Sequence, residues 1–219
     1  FYQMPSQLWF LAIGLFAAIY PEVAVIDWAA VFARDVLNVD VALRSIPFGV
    51  FMIGMIVGRL SMTRLAEKYH PHFLASRGAF LAAAALALTA LSASALSSFN
   101  TILGLIVASI LWGLAGLGLA PASPAFFSAG GHIPGVSTAW AVSRLSLFNS
   151  SVAIGAKAGM GALVEGVGLS NAFFFPVILA VISGIIADQW AKRARKSELD
   201  AAAPPTGPMS VIVVPEEDR

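Results

Sequence analysis

No cysteine occurs among the 219 residues, which excludes disulfides, thiolate metal sites and a cysteine nucleophile. Charge is nearly as scarce. Asp, Glu, Lys and Arg make up 11% of the chain, where a soluble domain carries about 25%. The formal net charge is +1, and the basic residues fall in short clusters beside apolar runs, so there is no footprint for nucleic acid. The three histidines, His70, His72 and His132, all lie in loops. No histidine therefore faces a serine inside an apolar run, and no cluster of aspartates exists, so the nucleophile–base geometry of a membrane-embedded enzyme is not expected. His70 and His72 flank Pro71 without further ligands, and no metal site is expected there. Asn149 and Asn171 lack the following proline of a water or glycerol channel. Gly113, Gly116 and Gly118 lie in an apolar helix, not after a strand in a βαβ unit, so they form no nucleotide loop and no cofactor is expected.

Hydrophobic residues make up 58% of the chain and the mean hydropathy is +0.84. They gather into six runs at 8–32, 42–62, 73–96, 101–127, 139–164 and 172–190. Each approaches the roughly 20 residues that cross the hydrocarbon core as a helix. Helix is required, because every backbone group in lipid needs a partner within its own segment. The predicted class is an all-α membrane protein with six transmembrane helices. The runs also fall into two sets of three. The first of each set carries proline, with helix breaks expected at Pro21 and at Pro121 with Pro124. The second carries glycines four apart, Gly54 with Gly58 and Gly155 with Gly159, and the third is bland. Paired interrupted helices in two halves point to the 3+3 inverted repeat of a transporter. Helices three and six, nearly free of polar groups, are expected to face lipid.

Basic residues set the orientation. Arg59, Arg64, Lys68 and Arg77 lie around the second connection, and Lys192, Arg193, Arg195 and Lys196 follow helix six. The third and fifth connections have none. Both termini are therefore expected on the cytoplasmic side. The expected layout is a stub or cut linker at 1–7, a bundle at 8–190, and a tail at 191–219 that is basic and then disordered from Ala201 onward. The opening on Phe1 without a basic leader reads as a segment of a longer chain.

Glu22 follows Pro21 near the middle of helix one. A carboxylate at that depth costs a few kcal/mol and points to a cavity, a partner or a proton. Asp27 lies five residues on, hence on another face, beside Trp28. Lys157, between the glycines of helix five, is expected to pair with Glu22 or Asp27, or to offer a positive site to an anionic solute. Asn149 lies nearer the cytoplasmic end of the same helix and completes the expected set for substrate binding or ion coupling. Arg144 is expected to serve as a cytoplasmic gate or a contact to lipid phosphate. Gly54 and Gly58 let helices approach closely, with Arg59 and Arg64 forming a basic loop motif behind them.

The run Gly54-x-x-x-Gly58-Arg59 with its basic loop resembles the loop motif of major facilitator superfamily transporters. The stretch from Glu22 through Asp27-Trp28, Phe32 and Arg34-Asp35 to Leu37 is similar to the start of the C-terminal half of a bacterial sugar-permease-like branch. So is Gly118-Leu119-Ala120-Pro121 with Pro124. Thr63 stands where the motif has an acid, and Gly155-Ala156-Lys157 where the branch has Gly-Pro. The resemblance implies helices seven to twelve of a twelve-helix transporter, with helices one, two, four and five lining the pathway. It further implies secondary transport of a small polar solute by alternating access, with the lipid bilayer as surroundings and a missing N-terminal six-helix half as partner. Protons enter as a candidate coupling ion through Glu22, a titratable carboxyl near the middle of the membrane. The bacterial cytoplasmic (inner) membrane is the implied location. The alternative is a six-helix substrate-binding or scaffold subunit of a multi-chain membrane transporter.

Overall fold

The computed structural model describes residues 4–202, with side chains described for 4–196. The expected tail beyond 202 lies outside the described residues, as do positions 1–3 of the expected N-terminal stub. The architecture is all-α, and six helical spans are long and apolar enough to cross a membrane. By the length and composition of these helices the chain is an integral membrane protein. Each expected span is present with its ends moved by a few residues, except that the last helix runs on to Ala202.

Helix α1 runs over Ser6–Asp35 and ends where Asn38 adopts a left-handed conformation (φ 54°). The chain then turns through a 3-10 segment, Val41–Leu43, capped by the Asp40 carboxylate, which accepts a bond from the Ala42 amide at 3.1 Å. Arg44 Nε donates to the Val39 carbonyl at 3.2 Å across the same turn. Helix α2 covers Ile46–Leu65 and α3 Pro71–Phe99, which starts on the proline best suited to a first turn. Asn100 then caps α4, Thr101–Leu119, accepting from the Leu103 amide at 3.0 Å. A turn at Ala120 and Pro121 separates α4 from α5, Ala122–Gly131, and the two together make the fourth span. Helix α6 covers Thr138–Val167, and Gly168 at φ 82° ends it. One short turn, α7 at Leu169–Ala172, leads into α8, Phe174–Ala202.

Helix α4 packs against α2 and α3, α3 against α8, and α1 against α8 and α6. The α2–α4 crossing explains the glycines of both. A Cβ on Gly54 would collide with the Gly113 carbonyl oxygen, and one on Gly116 with that of Phe51. Only glycine at these places lets the backbones meet, which is how apolar helices gain attraction in lipid. Phe32, Trp112 and Phe173 are each fully buried and lock α1, α4 and the α7–α8 turn together, with ring centroids 5.1 to 5.7 Å apart. Near the other end, Leu8, Leu11, Leu15, Phe126 and Leu145 join α1, α5 and α6.

Three expectations need correction. Pro21 does not break α1. The ring removes the bond to the Ala17 carbonyl, but Ala17, Ala18, Tyr20, Ala24 and Val25 are buried around it and packing keeps the helix continuous. Pro124 is the third residue of α5, where its missing N–H has no intrahelical acceptor to lose, so only Pro121 sits at the interruption. The bundle also extends past 8–190. Met4 is buried, Ser6 and Gln7 are helical, and α8 continues through Ala201 to Ala202. Helices three and six carry exposed apolar faces, at Leu81, Leu88 and Leu91 of α3 and at Ile178 and Ile185 of α8. Alanines along α3, among them Ala75, Ala79, Ala82 and Ala93, let it pack closely, and it buries 44% of its most apolar stretch. The corresponding share is 22% for α2 and only 17% for α6.

Candidate functional site

Glu22 and Asp27 stand on α1 five residues apart, a rise of about 7.5 Å and a turn of about 140° around the axis. Those angles send them toward different neighbours. Glu22 faces α2, where Arg59 Nη2 lies 3.7 Å from its Oε1. That distance is an ion pair and too long for a hydrogen bond. Asp27 faces α6, where Lys157 Nζ donates to its Oδ1 at 2.9 Å. The carboxylates are the more enclosed members: their side chains are 21% and 25% exposed, against 59% for Arg59 and 62% for Lys157. The second oxygen of Asp27, Oδ2, is buried without a hydrogen-bond partner.

Depth in the bundle explains both pairings. Glu22 lies thirteen residues before the end of α1 at Asp35, and Arg59 thirteen residues after the start of α2 at Ile46. Antiparallel neighbours joined by a short turn therefore bring them level. Helices α1 and α6 run parallel, and Asp27 lies twenty-one residues into one, Lys157 nineteen into the other. Arg59 is thus not at the end of α2, as the loop motif suggested. It sits six residues, about 9 Å, inside it. Ile26, exposed between the two carboxylates, marks the open face of α1.

The other expected residues do not converge on this pair. Asn149 is eight residues before Lys157 on α6, about 12 Å away along the axis, and its Oδ1 is buried without a partner. Arg144 lies over the Trp140 ring at 5.3 Å, a cation–π contact within α6. Arg64 is exposed in the last turn of α2. Gly54 and Gly58 are consumed by the α2–α4 crossing, whereas a Cβ on Gly155 would meet nothing within 4 Å. The two glycine pairs are therefore not equivalent.

Tyr20 was not singled out from the sequence, although a lone tyrosine two residues before Glu22 in an apolar run was a usable signal. Its ring is edge-on to Phe175 at 5.0 Å, and its hydroxyl is buried without a partner, 3.4 Å from where Gly159 would carry a Cβ. It belongs to an open apolar groove of about 600 Å³ between α1, α6 and α8, lined also by Phe16, Phe148 and Gly155. Among the described residues no three side chains come together in a way that could hold a metal ion.

The chemistry available is exchange of partners. Two carboxylates and two cations neutralise one another in pairs, which makes charge at this depth tolerable. An anion can compete for Arg59 or Lys157, and a proton or cation for Glu22 or Asp27. No family model, curated protein or solved structure matches this chain.

Proposed function

We propose that the chain is a six-helix unit of a secondary transporter, moving a small polar solute by alternating access against a second six-helix bundle. The observation that carries this reading is the pair of ion bridges flanking the open face of α1, Glu22–Arg59 toward α2 and Asp27–Lys157 toward α6. Charges placed inside apolar spans mark pathways by default, and these bracket a face that the bundle itself does not cover. Helices α2 and α6, the least buried spans, flank that face and would contact the second bundle. A proton shared with Glu22 or Asp27 would release a cation and couple solute movement to a gradient.

The packing order supports an inverted repeat. Exchange the first three spans for the last three, and α2 on α4 becomes α6 on α1. In the same exchange α3 on α4 becomes α8 on α1, and α3 on α8 maps to itself. The resemblance to the C-terminal half of a major facilitator superfamily transporter agrees with this order and with a bacterial inner membrane having both termini cytoplasmic.

Alternating access is testable without knowing the solute, because the chain has no native cysteine. Ile26→Cys, expressed in cells with the second bundle present, should react with a membrane-impermeant maleimide in both right-side-out and inverted vesicles. Reaction from one side only, under conditions where a loop cysteine confirms intact vesicles, rejects alternating access at this face.

A further inference from the structure

The three histidines that the sequence scattered over two loops come together at one end of the bundle, away from the ion pairs of α1. They line a cleft of about 480 Å³ with Gln7 of α1 and with Trp190 and Arg193 of α8. The rings of His70 and His72 lie 5.1 Å apart and inclined by 32°. His72 is only 6% exposed and edge-on to Trp190 at 6.4 Å, and its Nδ1 is buried without a hydrogen-bond partner. His132 Nδ1 lies 2.7 Å from the Ser128 carbonyl oxygen, so that nitrogen carries the hydrogen. The Arg193 guanidinium lies 4.9 Å over the Phe10 ring, which holds its face and leaves its in-plane N–H donors available.

Every titratable group lining this cleft is basic. Among the described side chains of α8 the acid is Asp188, which is bound to Lys192 at 2.7 Å. The N-terminus of the 29-residue helix α3 opens here, at His70 and Pro71, adding the positive end of its dipole. A cation would sit beside the Arg193 guanidinium, and among the described residues no three side chains are grouped to hold a metal ion. An anion meets a guanidinium and a helix terminus together, and a protonated phosphate oxygen can donate to the imidazole nitrogen that His132 leaves free. Trp190 places the cleft at the level where aromatic side chains meet the headgroup region.

We propose that this cleft binds a phosphate group, carried either by an anionic lipid headgroup or by a soluble phosphate. The group sits between Arg193 and His132, with His70 at the mouth and the unmatched nitrogen of His72 at the floor.

Two arms of one experiment on the full chain separate the sources. In detergent, inorganic phosphate is titrated against chloride at constant ionic strength while the imidazole proton signals of the three histidines are followed by NMR. In nanodiscs of phosphatidylcholine with or without phosphatidate, lipid retained after extraction is measured by native mass spectrometry. A saturable histidine shift assigns the site to a small phosphate, and selective retention of phosphatidate without that shift assigns it to a headgroup. In either arm Arg193→Gln with His132→Gln should weaken binding about tenfold, while Lys196→Gln, on an exposed basic residue outside the cleft, should leave it unchanged. No saturable shift together with no preference for phosphatidate overturns the proposal, as does an equal loss with Lys196→Gln. If the double variant does not fold, the wild-type shifts and retention still decide the question.

Discussion

Lys157 reaches Asp27 from a neighbouring helix, its Nζ 2.9 Å from Oδ1, while Oδ2 of the same carboxylate is buried without a hydrogen bond. The two ends of this bond are not equally dependent on it. Lys157 is mostly exposed and its long stem can carry the ammonium toward water if the acid is removed. Asp27 sits on a short side chain in an enclosed place and has no such escape. Lys157→Ala should therefore destabilise by about 1–3 kcal/mol, and Asp27→Asn by less than about 1 kcal/mol. The double variant Asp27→Asn/Lys157→Ala should recover most of the Lys157→Ala loss. Thermal unfolding of purified protein in detergent checks this. Equal costs for the two single variants would contradict this asymmetry.

The two glycine pairs make opposite predictions. A methyl group on Gly54 meets the Gly113 backbone, which cannot rotate away, and forces α2 from α4 at a cost of about 1–3 kcal/mol. A methyl group on Gly155 meets nothing within 4 Å. There the substitution should raise stability by up to about 1 kcal/mol through helix propensity. Melting temperatures of Gly54→Ala and Gly155→Ala decide the point, and a stabilised Gly54→Ala would contradict the α2–α4 crossing described above.

The helices were legible because their signal is one-dimensional. A run of apolar residues long enough to cross lipid must be helix, whatever it packs against. What packs against what was less legible. Helices α3 and α8 read as lipid-facing because they lack polar groups, yet alanine at Ala75, Ala79 and Ala82 serves an inter-helix contact as well as a lipid surface. Glycine spacing was equally ambiguous, since Gly54/Gly58 and Gly155/Gly159 have the same pattern and different surroundings. The Asp27–Lys157 pairing was among the expected ones. The Glu22–Arg59 pair is hidden in the sequence because Arg59 stands next to a basic loop, although counting from the α1–α2 turn places both at one depth. The meeting of His132 with His70 and His72 depends on how two separate connections come together, which no local pattern encodes.

The aromatic lock at Trp112 should be the most sensitive point of the core. Its ring stacks on Phe173 at 5.7 Å and tilts against Phe32 at 5.2 Å, with no exposure. Trp112→Ala should cost about 3–5 kcal/mol. Its indole Nε1 is buried without a partner, so Trp112→Phe forfeits no hydrogen bond and should cost far less. Loss of thermal stability that is the same for both variants would mean that the cluster is not held by ring packing.

Orientation follows from which end of the bundle keeps free positive charge. At the α1–α2 end, Arg34 is held by Asp35, with Nη2 to Oδ2 at 2.9 Å, and Arg44 Nε is engaged by the Val39 carbonyl. At the opposite end Arg64, Lys68, Arg193, Arg195 and Lys196 are exposed. The excess of basic residues there is the basis on which that end is proposed to face the cytoplasm. In this cysteine-free chain two single cysteines report the result. Glu67→Cys lies in the α2–α3 connection at the basic end, and Ser98→Cys is exposed near the C-terminus of α3 at the other. In intact cells an impermeant thiol reagent should label position 98 and reach position 67 only after permeabilisation. The reverse pattern would invert the bundle and move the histidine cleft to the outer surface. Labelling of both positions in intact cells would mean that the chain does not span the membrane in one orientation.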